Sequence, residues 1–145
     1  DQFDGGVKFS AYKDYGDTLT GPLDLVFDNV VINNGNGYDS KNGVFRAPSN
    51  VIYSFQFSGQ QSSTTYSIGF TIDIMKNGAL LFYILDTGSN SDHYGVYNNV
   101  NYQWELELEE GDEINLQLDT DDTLYTASTR RLYFSGQLIS LTLTQ

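Results

Sequence analysis

A two-residue alternation of apolar and polar side chains runs through most of this chain. The clearest case is Tyr53, Phe55 and Phe57, which are separated by glutamine and serine. Because successive side chains of a strand point to opposite faces, each alternating segment is predicted to be an antiparallel strand with one face in a core. The alternating segments are Val51–Ser58, Tyr66–Lys76, Tyr102–Glu109 and Glu113–Leu118.

Turn signals separate these segments from further predicted strands. The Asn77-Gly78 pair joins two strand-like runs and is the sharpest hairpin signal. No segment shows the 3.6-residue period of an amphipathic helix. About ten short strands with turns between them predict an all-β sandwich, jelly roll or barrel, in one domain covering residues 1–145. The further strands are predicted at Val7–Tyr12, Leu23–Asn33, Val44–Ala47, Ala79–Asp86 and Leu132–Thr144.

Composition and charge exclude several classes of protein. With 39% hydrophobic residues, the chain is neither disordered nor collagen-like. The net charge of −12 repels phosphate backbones and anionic membranes, so nucleic acid is excluded as a partner, and no apolar run is long enough to insert into a membrane. The absence of cysteine excludes disulfides, thiolate nucleophiles and cysteine metal sites.

Two long polar segments, Thr87–Asn101 and Thr120–Arg131, are predicted to be loops. Binding residues often lie on loops of a rigid β scaffold, although simple solvated connections have the same composition. The candidate ligand-binding residues in these loops are His93, Tyr94, Asp121, Asp122, Tyr125, Arg130 and Arg131.

These candidates leave alternatives open. Exposed tyrosines stack well on sugar rings. His93 either senses pH or contacts a ligand, or it is a bystander, since a lone histidine forms no cluster. Arg130 and Arg131 either bind a sulfate, phosphate or carboxylate, or form ion pairs with Asp121 and Asp122. The acidic run from Glu105 to Glu113 is interpreted as a solvated outer face, with docking of a basic protein as the alternative.

An ordered set of residues carries a family resemblance. The aromatic signature comprises Phe27, Asn33, Tyr38, Phe45, Tyr53, Phe55 and Phe57, and three further segments agree with it, namely 7–11, 108–112 and 133–138. One position departs from the pattern, because Val51 stands where glycine is expected. With these residues the chain resembles the globular head domain of complement component 1q, in the tumour-necrosis-factor-like superfamily. The resemblance implies an all-β, ten-stranded antiparallel jelly-roll sandwich.

The resemblance also implies a function. Members of this family are secreted, non-enzymatic recognition domains that form trimers, so a homotrimer is expected here. The expected ligands are carbohydrate, lipopolysaccharide or a protein receptor, as in a lectin of innate immunity that recognises microbial surface patterns. Two alternatives remain: a cytokine-like receptor ligand, and the trimerising head of an extracellular matrix protein. An enzyme is disfavoured because no convergent set of catalytic groups is recognisable.

Calcium is a further implication of the resemblance. Several members bind calcium near the trimer axis through aspartates in the loop after the central hairpin. The matching oxygen donors here are Asp86, Asn90 and Asp92. Their spacing differs from the family pattern and the loop is longer, whereas calcium requires about six to eight oxygen ligands. A calcium site is therefore a hypothesis that a chelator can test.

Overall fold

Thirteen β-strands and no helix make up the part of the chain that the computed structural model describes, residues 6–15, 18–63, 68–88, 96–119, 123–125 and 130–141. The strands are β1 (Lys8–Tyr15), β2 (Thr18–Thr20), β3 (Leu23–Asp24), β4 (Asn29–Asn34), β5 (Tyr38–Asp39), β6 (Val44–Arg46), β7 (Val51–Ser63), β8 (Ile68–Lys76), β9 (Ala79–Gly88), β10 (Val96–Leu108), β11 (Glu113–Leu118), β12 (Thr123–Tyr125) and β13 (Arg130–Leu141).

Two antiparallel sheets form the sandwich. The five-stranded sheet has the order β10-β7-β13-β1-β4, and the six-stranded sheet has the order β5-β6-β11-β8-β9 with β3 paired to β11. Strands β12 and β2 form a separate small pair. Non-consecutive strands lie side by side in both sheets, which confirms the predicted all-β jelly-roll sandwich.

The structure corrects some predicted strand boundaries. The single strand predicted over Leu23–Asn33 is divided into β3 and β4. Between them, Leu25 and Phe27 are both fully buried, and the Leu25 N–H donates to the Leu116 carbonyl 2.9 Å away. The short strands β2, β5 and β12 raise the count above ten, since two or three residues are too few to show an alternation.

Aromatic rings fill the space between the sheets. Phe9 of β1 stacks on Tyr38 of β5 and on Phe45 of β6, with ring centroids 4.9 and 5.2 Å apart. The edge-on contact with Phe134 of β13, at 5.0 Å, completes the cluster around Phe9. Pairs in these geometries contribute about 0.5–1.5 kcal/mol beyond area burial, so this cluster holds the two sheets together.

The predicted hairpin at Asn77-Gly78 is confirmed. Asn77 has φ 52° and Gly78 has φ 83°, which is the pair of positive values that a type I′ turn needs between β8 and β9. At the position where the family pattern expects glycine, Val51 is buried within β7, and neither Val51 nor Asn50 has a positive φ. The Asn50 side chain instead accepts a hydrogen bond from the Glu110 N–H at 2.6 Å.

Tyr38 ties the segment before β4 to the core. Its hydroxyl accepts a hydrogen bond from the Phe27 N–H at 2.9 Å and donates one to the Phe27 carbonyl at 3.0 Å. Burial raises the pKa of Tyr38 from 10.0 to about 12, although the hydrogen bond from Phe27 acts in the opposite direction. The phenol is therefore neutral in the folded protein at pH values where the unfolded chain begins to ionise.

Replacement of Tyr38 by phenylalanine should destabilise the fold by about 1–3 kcal/mol, because the buried Phe27 N–H loses its acceptor. The substitution should also change the pH dependence of stability. The pKa of Tyr38 is higher in the folded state, so the contribution of its neutral hydroxyl to stability is complete below pH 10 and is lost as the pH rises towards 12. Tyr38→Phe should therefore lose less stability than wild type over that range. Urea titrations at several pH values measure both effects.

The matched control is Tyr133→Phe, because the Tyr133 side chain is 43% exposed and makes no hydrogen bond within the described residues. Its effect should stay within about 0.5 kcal/mol at neutral pH. Equal effects of the two substitutions would contradict the role assigned to Tyr38.

Candidate functional site

Most of the residues predicted to bind a ligand or metal are not among those the structure describes. Asn90, Asp92, His93, Tyr94, Asp121 and Asp122 all lie outside the described ranges. Their predicted roles therefore stay predictions.

The remaining candidates lie on strands. Asp86 belongs to β9, where its backbone is opposite Phe70. The prediction of a continuous loop over Thr120–Arg131 is wrong for five residues, which lie in β12 and β13. Tyr125 is in β12, which pairs with β2, and Arg130 and Arg131 begin β13, which pairs with β1. The register places Arg131 opposite Asp14 rather than near a loop tip.

The other predicted loop is also shorter than expected. Strand β9 continues to Gly88, and β10 already begins at Val96, so Val96–Asn101 pair with β7. Tyr102, the first residue after this predicted loop, packs against Trp104 and Phe82 at ring-centroid distances of 5.9 and 6.2 Å. Backbone pairing overrides the polar composition of these segments.

Two adjoining clefts lie near the β4–β5 turn, and Arg46 lines both of them together with Asn36 and Gly37. The first cleft, of about 460 Å³, is further lined by Asn33, Tyr38, Asp39, Ser40, Lys41, Asn42, Val44 and Glu113. The second, of about 420 Å³, is further lined by Gly35, Ala47, Pro48, Glu110 and Gly111. We name this region the Arg46 clefts.

Two cations give the Arg46 clefts their chemistry. The Arg46 Nη1 lies 2.8 Å from Glu113 Oε2, yet 66% of the arginine side chain is exposed. The Lys41 ammonium makes no ion pair with any described residue, and the carboxylate of Asp39 accepts a hydrogen bond from the Lys41 N–H instead. Arginine has five N–H donors, so most of them remain available for a carboxylate, phosphate or hydroxyl oxygen.

The backbone around the Arg46 clefts is fixed by short hydrogen bonds. The Arg46 N–H donates to the Gly37 carbonyl at 2.7 Å, and the Gly111 N–H donates to the Ala47 carbonyl at 2.8 Å. Gly37 cannot carry a side chain, because a Cβ there would lie 2.7 Å from the Phe45 ring. The clefts are therefore part of the folded frame rather than of a free loop.

Asp112 connects the β8–β9 turn to the β10–β11 turn beside these clefts. Its Oδ1 accepts a hydrogen bond from Asn77 Nδ2 at 3.0 Å, and its Oδ2 accepts one from the Glu109 N–H at 2.9 Å. The Lys76 ammonium lies 3.9 Å away. These interactions, with the Asn77 hydrogen bond the largest, lower the pKa of Asp112 below 3.8.

Asp112→Asn should lower the free energy of unfolding at neutral pH. It should also remove part of the decrease in that free energy at acidic pH. The pKa of Asp112 is depressed in the folded state, so its contribution is present above the unfolded value of 3.8 and is lost as the pH falls through the folded value. The difference in the free energy of unfolding between wild type and Asp112→Asn should therefore be constant near neutrality and shrink below pH 3.8. Urea midpoints from neutral to acidic pH measure it.

Glu107→Gln is the control for this experiment, since the Glu107 side chain is exposed and makes no hydrogen bond or ion pair within the described residues. A difference between wild type and Asp112→Asn that stays constant into the acid range would contradict the role of Asp112.

The side of the sandwich where β9 and β10 run along the two sheet edges is apolar. Leu81, Tyr83 and Leu85 of β9 are 41, 57 and 58% exposed. Phe82 turns inwards and contacts Trp104 of β10 with ring centroids 5.8 Å apart. We name these four β9 residues together with Tyr102 the apolar edge.

An unusual polar atom lies beside the apolar edge. Trp104 is only 7% exposed, and its indole Nε1 has no hydrogen-bond partner within the described residues. Buried donors without an acceptor are rare in folded proteins. Trp104 is also the single tryptophan of the chain, so its fluorescence reports on this edge.

Within the described ranges, no group of three or more histidine, cysteine, aspartate or glutamate residues is placed to hold a metal ion. No helix in the described part of the chain is long and apolar enough to cross a membrane.

Residues 9–139 match the family model of the C1q domain. The chain belongs to the C1q domain family. The globular domain of zebrafish complement 1qA protein has the same fold, with a TM-score of 0.73 and 17% identity over 94% of this chain and 99% of that chain. No curated protein matches the chain. C1q domains are extracellular, non-enzymatic recognition and trimerising domains that bind ligands or receptors.

The sequence analysis did not identify the Arg46 clefts or the apolar edge. A signal for the edge was present, because Ala79–Leu85 is apolar at almost every position and lacks the alternation of a half-solvated strand. No comparable signal marked Arg46, which forms its ion pair with Glu113 across 67 positions of sequence.

Proposed function

We propose that this C1q domain is a single extracellular recognition domain that acts as a homotrimer without catalytic activity. The observation that carries the proposal is the apolar edge. An uncovered strand edge with large apolar side chains favours pairing with another chain, and monomeric proteins usually protect it with lysine, proline or a bulge. Strand β9 contains neither lysine nor proline over its ten residues, and the irregularity in its pairing with β8 lies at Leu81, before Tyr83 and Leu85.

The residue types of the apolar edge also suit burial between copies of the chain. A stable interface buries about 800 Å² per partner and has an apolar core with aromatic residues. Leu81, Tyr83 and Leu85 provide such a core on the exposed face of β9, and Tyr102 extends it onto β10. Three linked copies of a weak ligand site bind a repetitive surface with greatly increased avidity.

The protein should sediment with three times the mass of the 16.2 kDa chain at micromolar concentration. Leu85→Glu should shift it to one chain, because a carboxylate buried in an apolar interface loses its hydration. Sedimentation equilibrium measures both masses, and circular dichroism checks that the variant is folded.

Val31→Glu is the matched control, since Val31 is 69% exposed on β4, at the opposite side of the sandwich. It should leave the mass unchanged. A wild-type mass of one chain would contradict the trimer, and dissociation by Val31→Glu alone would place the interface on the other side.

We further propose that the ligands are glycans or microbial surface patterns such as lipopolysaccharide. The Arg46 clefts support this, because Arg46 and Lys41 offer unused donors in a rigid frame of asparagine and serine side chains. Such donors suit the carboxylates, phosphates and hydroxyls of acidic saccharides. The alternatives are a cytokine-like receptor ligand and the trimerising head of a matrix protein.

Arg46→Ala and Lys41→Ala should each weaken binding to acidic glycans or lipopolysaccharide by about tenfold, as expected for the loss of one charge-assisted contact. Surface plasmon resonance against the hits of a glycan array measures this. Lys13→Ala, which removes a lysine 3.8 Å from Asp28, serves as the control. An array without any saturable hit would favour the receptor or matrix alternatives, and equal loss in all three variants would exclude the Arg46 clefts.

We also propose, as a separate matter, that calcium binds through Asp86, Asn90 and Asp92. Carboxylate and amide oxygens are suitable ligands for this hard cation. Binding would stabilise the folded state by mass action, so millimolar calcium should raise the melting temperature and a chelator should reverse the rise. An identical melting temperature with calcium and chelator would reject the site.

A further inference from the structure

Four Asn-Gly sequences occur in the chain, and all lie in described segments. In an Asn-Gly sequence the backbone nitrogen of glycine can attack the side-chain carbonyl carbon of asparagine, because glycine has no Cβ to obstruct the approach. Folding controls the reaction by fixing or releasing the asparagine side chain. The four sequences are Asn34-Gly35, Asn36-Gly37, Asn42-Gly43 and Asn77-Gly78.

The reaction is balanced without any further reagent except water. The glycine nitrogen loses its proton and forms a bond to the asparagine Cγ, and the side-chain amide nitrogen leaves as ammonia. Water then opens the resulting succinimide at either carbonyl, which yields aspartate or isoaspartate. Each event adds one negative charge, and isoaspartate also adds one carbon to the main chain.

The fold restrains two of the four asparagines. Asn77 donates from Nδ2 to Asp112 at 3.0 Å and accepts the Glu113 N–H on Oδ1 at 2.8 Å. Asn42 accepts the Val44 N–H on Oδ1 at 3.0 Å, and the attacking nitrogen of Gly43 donates to the Asp39 carbonyl at 2.9 Å. Attack at either site requires these hydrogen bonds to break first.

The side-chain amides of the other two asparagines are not restrained by any described residue. The side chains of Asn34 and Asn36 are exposed, and neither makes a hydrogen bond within the described residues. Asn36 has φ 59° and Gly35 has φ 85°, so the turn is already in a conformation that few residues prefer. The backbone of the turn is held, because Asn34 pairs with Lys8, the Asn36 N–H donates to the Asn33 carbonyl at 3.2 Å and the Gly37 carbonyl accepts from the Arg46 N–H at 2.7 Å. None of these contacts involves the side-chain amide of Asn34 or Asn36.

We propose that the turn Asn34–Gly37 is a site of spontaneous deamidation, whereas Asn42 and Asn77 are protected by the fold. Asn36 and Gly37 line both Arg46 clefts, so the reaction places a new carboxylate at the edge of the clefts. The modification therefore changes the charge of this surface as the protein ages, whether or not the clefts bind a saccharide.

Peptide mapping by mass spectrometry tests the proposal on the intact protein. After incubation in mildly alkaline buffer, the Asn34–Gly37 turn should convert about tenfold faster than Asn42 or Asn77, as expected when two hydrogen bonds must break at the protected sites. In denaturant the rates of the four sites should converge, because they share the same local sequence. Conversion of Asn42 or Asn77 as fast as the turn in the native protein would overturn the proposal.

The variant Asp112→Ala tests the cause of protection. It removes the acceptor of Asn77 Nδ2 and leaves the hydrogen bonds around Asn42 in place. The ratio of the Asn77 rate to the Asn42 rate should rise several-fold, and this ratio corrects for any general loss of stability. An unchanged ratio would contradict protection by the Asp112 hydrogen bond.

Discussion

The contact between aromatic rings of the two sheets is the constraint on which the rest of this structure depends. Phe9 lies between Tyr38 and Phe45, so the ring from one sheet fixes two short strands of the other. Gly136 makes this possible, because a Cβ there would lie 2.7 Å from the Phe9 ring. Once β5 and β6 are fixed in this way, Gly37 and Arg46 take the positions that form the Arg46 clefts.

The aromatic core, the apolar edge and the Arg46 clefts lie in different parts of the sandwich. The aromatic core needs no contribution from the surface, so the ends and edges of the sandwich are free to vary. The apolar edge lies along β9 and β10, and the Arg46 clefts lie near the β4–β5 turn. A trimer assembled through the edge would keep the clefts available to a ligand in every copy, provided that the interface does not extend to them.

Alternation was sufficient to predict an all-β sandwich, jelly roll or barrel, because half-buried strands such as Tyr53–Phe57 have a regular pattern that helices lack. The choice of a jelly-roll sandwich came from the family resemblance. Alternation failed where it continues through residues that lie outside any strand. Leu25 and Phe27 are buried outside any strand, which joined two elements into one prediction. Val96–Asn101, which contains three asparagines, was assigned to a loop because the pairing with β7 that makes it a strand is a long-range contact.

The site was less predictable than the fold for the same physical reason. Charge counting shows seven basic residues but not which of them pair, and Arg46 and Glu113 meet only when β6 and β11 are neighbours. The Lys41 ammonium has no ion-pair partner in the described part of the chain, and its backbone N–H donates to Asp39 in the turn. Local patterns therefore identify strands, whereas clefts require the topology.

Amide hydrogen exchange as a function of protein concentration tests the central claim, that the β9–β10 side of the sandwich is covered by another copy. The account predicts that β9 and Tyr102–Leu108 of β10 exchange more slowly at concentrations where the protein assembles, while β4 at the opposite side is unchanged. Protection of β4 instead, or exchange of β9 that does not depend on concentration, would contradict it.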